Sequence, residues 1–138
     1  MKKKINVKNI PKILKEKKQW ILHANNKTPY TIEGTNAWNQ ASSTNPKHWS
    51  TFEEVMDAYL FSDSVYDGIG FVFTPDDDFV GIDLDKHISE NGVPDEIARE
   101  FLEKVPGYSE ISPRGRGLHI ITRGEIPRGF NNRDHGVE

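Results

Sequence analysis

A chain of 138 residues and 15.8 kDa, 35% hydrophobic with a mean hydropathy of −0.68, has material for one ordinary hydrophobic core and no apolar run near the ~20 residues of a membrane span. It holds no cysteine, which excludes disulfides, thiolate zinc sites and thiol nucleophiles and leaves oxygen and imidazole as the only strong metal donors. The net charge of −3 hides a sorted distribution: residues 1–20 carry eight Lys against one Glu, residues 50–110 sixteen acids against three bases, and residues 111–138 five Arg against three acids.

Taken in chain order, Met1 to Lys4 has the positive start of a secretory leader, but Asn6, Lys8, Asn9 and Pro11 interrupt any apolar stretch behind it, so the expected location is cytosolic. Pro11 suits the first position of a helix, and Ile10, Ile13 and Leu14 give it a short apolar stripe. Residues 1–19 are expected as a basic N-terminal helix and residues 20–138 as one continuous domain. Trp20 to His23 reads as a strand. The Asn, Thr, Gly and Ser of residues 25–45 imply turns, anchored by Tyr30, Ile32 and Trp38. Ser50-Thr51-Phe52-Glu53 has the form of a capping box, and Phe52, Val55, Met56, Tyr59 and Leu60 behind it form a helical apolar stripe.

Gly68 to Thr74 and Phe79 to Asp85 read as two strands joined by the turn-forming Pro75-Asp76-Asp77-Asp78, which predicts a hairpin. A third helix is expected from about Pro94, with Ile97, Ala98, Phe101, Leu102 and Val105 turned inward. Tyr108 to Ser112 and Gly117 to Arg123 are two further strands around a Pro-Arg-Gly-Arg turn. The predicted fold class is α+β, with helices packed on a mainly antiparallel sheet.

Two clusters carry chemistry. In Phe79-Val80-Gly81-Ile82-Asp83-Leu84-Asp85, strand alternation sends Val80, Ile82 and Leu84 to one face and Asp83 and Asp85 to the other. Two like charges on one face repel unless a cation lies between them, and an oxygen-seeking divalent ion such as Mg²⁺ or Mn²⁺ would resolve the conflict. A D-x-D pair that merely caps the exposed end of a strand fits the same residues. In Ser112-Pro113-Arg114-Gly115-Arg116-Gly117-Leu118-His119, the glycines admit close backbone approach, Ser112 offers a hydroxyl, and Arg114 and Arg116 offer forked donors for phosphate oxygens. His119 alternates away from Leu118 and Ile120 and could touch the same anion; a solvated hairpin with an incidental histidine is the plainer alternative. Trp20, Trp38 and Trp49 could stack bases, but packing anchors are the simpler assignment.

Lys27 to Tyr30, Ser43 to Glu54, Asp67 to Phe73, Val80 to Asp85 and Tyr108 to Ile120 together, in this order, resemble the primase-polymerase domain of the archaeo-eukaryotic primase superfamily. The branch is the one found at the N-termini of phage, plasmid and mobile-element replication proteins. The resemblance runs from about Trp20 to Glu138. It implies an RRM-like catalytic core, in which Asp83 and Asp85 bind catalytic Mg²⁺ or Mn²⁺, His119 contacts the incoming nucleotide, and Glu138 completes the metal site. Ser112, Arg114 and Arg116 match the turn expected near the triphosphate. The implied reaction is template-directed nucleotidyl transfer, with nucleoside triphosphates and a single-stranded DNA template or primer as partners and a helicase domain or protein as a further one. Two departures stand out. Gly117 replaces the serine of the broader superfamily's motif, and the family continues past its third acid with a Tyr and an Arg-Phe-Phe-Thr-x-Thr-Gly-like stretch, so the domain is expected to be truncated at its C-terminus. A non-catalytic nucleotide or single-stranded-DNA binding module, or a protein-interaction domain on the same fold, is the alternative.

Overall fold

The computed structural model describes residues 4–61, 64–105, 107–112 and 115–123. The chain divides into two compact units, residues 1–74 and 75–138, and each builds its own three-stranded antiparallel sheet. The expected α+β class with antiparallel sheets holds in both.

In the first unit the sheet order is β2-β1-β3, with β1 (Trp20–Ala24) central between β2 (Thr28–Tyr30) and β3 (Gly68–Phe71). Trp20, Leu22 and Ala24 point inward by strict alternation. Helical structure in the basic segment comprises a 3₁₀ turn, Val7–Asn9, and a single turn, α1 (Lys12–Lys15), preceded by Pro11. Leu14 is buried on it and its carbonyl accepts the Trp20 indole N–H at 3.0 Å, while Ile13 is exposed. The Trp20 ring meets Phe52 and Phe71 edge-on at 5.0 and 5.2 Å.

Helix α2 (Phe52–Leu60) lies on this sheet through Phe52, Val55, Met56 and Tyr59. Its capping box sits one residue later than expected: the Thr51 hydroxyl accepts the Glu54 N–H at 3.1 Å and Glu54 accepts the Thr51 N–H at 2.9 Å. Ser50 cannot serve as the cap because it is buried in a backbone bridge to Trp20. Leu60, at the last position of the helix, is exposed rather than part of the stripe.

The loop after β2 corrects a second expectation. Tyr30 is buried, but Ile32 is exposed, and Trp38 is 94% exposed on the 3₁₀ turn Ala37–Asn39. Backbone bonds from Thr31 N–H to the Asn39 carbonyl and from Ala41 N–H to the Pro29 carbonyl close this loop, and the Tyr66 hydroxyl donates to the Thr31 carbonyl at 2.8 Å, so neither Ile32 nor Trp38 anchors it.

In the second unit the order is β4-β6-β5, formed by β4 (Phe79–Leu84), β5 (Tyr108–Ile111) and β6 (Leu118–Arg123). Strands β3 and β4 therefore do not form the expected hairpin: β3 pairs with β1, and β4 with β6. Pro75 and the aspartates after it supply turn chemistry, which bends the chain without dictating what the next strand pairs with. Helix α3 (Glu96–Lys104) is capped by Asp95, whose carboxylate accepts the Ala98 N–H at 2.9 Å. Leu84, Ile88, Ala98, Leu118 and Ile120 form the core, with Ile82, Phe101 and Val105 packed against it. Leu102, expected inward, is exposed.

Candidate functional site

The two faces of the β4-β6-β5 sheet divide core from chemistry. Leu84 pairs with Leu118 and Ile82 with Ile120 on the buried side; the residue between them on β4, Asp83, pairs with His119, and His119 in turn pairs with Glu110 on β5. Alternation then sets these three side chains in a row across the opposite face. His119 Nε2 lies 3.6 Å from Asp83 Oδ1, and His119 Nδ1 lies 3.2 Å from Glu110 Oε1. The Tyr108 hydroxyl donates to the other Glu110 oxygen at 2.9 Å. Asp83 and Glu110 are each 45% exposed and His119 34%, so the row is open to a ligand from solvent.

Partial burial pushes the Glu110 carboxyl upward, but the hydrogen bonds from His119 and Tyr108 outweigh it and hold the group below the usual carboxylate range. Burial raises the Tyr108 phenol, and the Glu110 charge and hydrogen bond add to that rise.

Asp85 lies just past the end of β4, exposed, in the turn that follows. Lys86 adopts a left-handed conformation there (φ +63°), uncommon for a non-glycine residue, and turns the chain away from the sheet immediately after the second carboxylate. The segment beyond is fastened at several points. His87 is buried, with Nδ1 2.6 Å from the Asp95 carboxylate, and the Asp95 N–H donates to the His87 carbonyl at 2.9 Å. Burial works to raise the Asp95 carboxyl; the Ala98 N–H and His87 outweigh it and hold the group low.

The β5–β6 hairpin is closed by Ser112. Its N–H donates to the Gly117 carbonyl at 2.8 Å, and its hydroxyl accepts the Gly117 N–H at 3.0 Å. A Cβ at position 117 would stand 3.1 Å from that hydroxyl oxygen and 3.3 Å from the Leu84 carbonyl. The glycine at this position thus has a local cause: the neighbouring strand already delivers a hydroxyl into the space a side chain would need. Arg116 turns toward the loop after β4, donating from Nε to the Ile88 carbonyl at 2.8 Å, with Nη1 3.9 Å from Glu90.

Of the sequence-predicted residues, Asp83 and His119 are brought together, Asp85 stands at the end of the same strand, and Ser112 and Arg116 belong to the adjoining hairpin and its clamp. Arg114 and Glu138 lie outside the described residues. Among the described residues no three carboxylates or imidazoles converge as a metal cage. The donor set itself fits a hard divalent ion that keeps water and takes phosphate oxygens, since Asp83 and Asp85 offer two carboxylates at the end of β4 and the chain has no thiolate. Glu110, Tyr108 and the His87–Asp95 pair were not singled out from the sequence. Glu110 and Tyr108 do alternate on one face of their strand, but opposing them to His119 requires the register.

No family model matches the chain. It is similar to a DNA primase-polymerase of Nitratiruptor phage NrS-1, with 38% identity over 120 residues, covering 84% of this chain. The chain spans 16% of the length of that protein. No helix among the described residues is long and apolar enough to cross a membrane.

Proposed function

We propose that the chain is the nucleotidyl-transfer portion of a larger phage-type replication protein, a primase-polymerase that extends a primer on single-stranded DNA. The observation that carries this is the cross-strand pairing of Asp83 with His119, with Asp85 in the turn just past the end of β4. It sets a carboxylate beside an imidazole on one open face, with a second carboxylate two residues on, and the likeness to a phage DNA primase-polymerase gives that geometry a reaction.

In this reading Asp83 and Asp85 hold Mg²⁺ or Mn²⁺, with Glu138 as the third ligand implied by the resemblance. The bound ion would lower the pKa of the attacking 3′-hydroxyl and neutralise charge at the α-phosphate. His119 binds the incoming nucleoside triphosphate. Ser112 keeps the hairpin closed, while Arg114 and Arg116 supply cationic donors to the phosphates. The lysines of residues 4–18 offer contacts to template phosphates, whose strength would fall as salt rises. A helicase domain or protein is the further partner this reading implies.

Asp83→Ala and Asp85→Ala should each lower Mn²⁺-dependent nucleotide incorporation at least about 100-fold, with the circular dichroism spectrum unchanged. Incorporation at the wild-type level by the folded double variant would remove the metal assignment. A second reading, a module that binds nucleotide without chemistry, draws on the lack of a three-ligand cage among the described residues. Nucleotide binding with no pyrophosphate release under either ion would favour it.

A further inference from the structure

Trp38 sits at the middle of the 3₁₀ turn Ala37–Asn39 and is 94% exposed, so one of the largest apolar side chains in the protein is left in water. The turn that carries it is not slack. The Asn36 side-chain oxygen accepts the Trp38 N–H at 3.1 Å, and the Asn36 carbonyl accepts the Asn39 N–H at 3.0 Å. Gln40 bridges back to Tyr30 at the end of β2, and Thr31 is held from both sides: its N–H donates to the Asn39 carbonyl at 2.8 Å, and its carbonyl accepts the Tyr66 hydroxyl at 2.8 Å. The indole is therefore displayed from a backbone tied to the β2-β1-β3 sheet, with its ring open to a flat partner.

Charge and surroundings narrow that partner. From residue 34 to residue 52 the sequence has no acid and one lysine, Lys47. Over the first unit, residues 1–74, ten lysines face seven acids, whereas residues 75–138 carry fourteen acids against eight Lys and Arg, so a chain of phosphates is drawn to the first unit. The exposed neighbours of Trp38 along the chain, Asn36, Ala37 and Gln40, are polar or small and do not build the apolar surround of a protein-binding hot spot.

We propose that Trp38 is a stacking platform for a base of single-stranded DNA. The choice of DNA as occupant rests on the replication reading given above; the exposure and framing of the ring do not. Every base has a π face, so stacking on an indole adds affinity without sequence preference, which suits a protein that must accept any template. The lysines supply the salt-dependent share of binding and Trp38 a share that salt leaves alone.

The test is an anisotropy titration of a fluorescein-labelled, mixed-sequence single-stranded oligonucleotide with the full chain at several salt concentrations. Trp38→Ala should weaken binding about tenfold, with the slope of log Kd against log salt unchanged, and Trp38→Phe should recover much of the loss. An abasic oligonucleotide of the same length should erase the difference between wild type and Trp38→Ala. The oligonucleotide with bases should quench the tryptophan emission of wild type and leave that of Trp38→Ala unchanged. Equal affinity of the two proteins, a difference that persists on abasic DNA, or no binding by wild type would overturn the proposal. Self-association in sedimentation that disappears in Trp38→Ala, with oligonucleotide affinity unchanged, would assign the ring to a second copy of the chain instead. The two layers separate through primer extension with Mn²⁺. If wild type extends a primer and Trp38→Ala binds the oligonucleotide equally well, stacking fails and the replication reading survives. If Trp38→Ala loses base-dependent binding while wild type incorporates no nucleotide, stacking stands and the nucleotidyl-transfer reading falls.

Discussion

Replacing Gly117 by serine supplies the hydroxyl that the sequence resemblance leads one to expect, and places it in a crowded space. The backbone at 117 is in an ordinary conformation, so the penalty is one of space. The new Cβ would be 3.1 Å from Ser112 Oγ, 3.4 Å from Ser112 Cβ and 3.3 Å from the Leu84 carbonyl. Leu84 separates Asp83 from Asp85 and its side chain is fully buried, so the strand can retreat little; the Ser112 side chain must yield. Moving it aside by a few tenths of an ångström costs the overpacking of one small group, about 1–3 kcal/mol, and strains the Ser112 hydroxyl bond to the Gly117 N–H. Gly117→Ser should therefore destabilise by roughly 1–3 kcal/mol in urea melts followed by circular dichroism. Ser112→Gly empties the crowded space, so the exchanged pair Ser112→Gly with Gly117→Ser should be more stable than the sum of the single changes by at least about 1 kcal/mol. Additive behaviour of the two substitutions would refute the claim that residues 112 and 117 compete for one volume.

Three further outcomes follow from particular contacts. Asp95→Ala removes the cap of α3 and strands the buried His87 Nδ1, and should cost about 2–4 kcal/mol at neutral pH, whereas Asp95→Asn keeps an acceptor for the Ala98 N–H and should recover the capping share; equal losses in chemical denaturation would count against the cap. Because the folded-state carboxyl of Asp95 is held low, its contribution is present above the ordinary carboxylate pKa and disappears as pH falls through the folded value. His23 titrates with the opposite consequence. Burial across Gly68, only partly offset by Asp67 and reinforced by Lys27, pushes its imidazole down, so the unfolded chain takes up the proton first as pH drops below about 6.5. Stability should decline from there until the folded ring also protonates, and His23→Gln should flatten that decline; an unchanged slope in pH-dependent melts would contradict it. Trp38→Ala should leave stability within about 0.5 kcal/mol and remove the quencher-accessible part of the tryptophan emission, since Trp20 and Trp49 are buried.

The division of β4 and β6 into an apolar and a polar face was legible in the sequence, because period-two alternation is a local property and Ile82, Leu84, Leu118 and Ile120 declare it. So was the apolar stripe of α2. Partner choice was not. The aspartates after Pro75 announce a turn, yet whether the strands around it pair depends on what else offers a matching edge, and β1 takes β3 while β6 takes β4. The capping box slipped by one residue because Ser50 and Thr51, and likewise Glu53 and Glu54, are chemically interchangeable until the backbone bridge of Ser50 to Trp20 removes one choice. For the site, Asp83, Asp85 and His119 could be named from residue type and spacing. Glu110 could not, since an acid on an edge strand gains meaning only when the register sets it opposite the imidazole.

Arg116 and Ile88 are joined twice: the Ile88 N–H donates to the Arg116 carbonyl at 2.9 Å, and the Arg116 guanidinium returns a bond to the Ile88 carbonyl at 2.8 Å. The hairpin and the loop that leaves Asp85 are consequently one mechanical piece, and this cationic side chain is a rivet between them. Lysine would preserve the charge and lose the rivet, because it has no side-chain N–H fixed in that direction. A weakened nucleotide affinity in Arg116→Ala would thus report on displaced backbone around Asp85 as much as on a missing phosphate contact, and only its comparison with Arg116→Lys separates charge from tether.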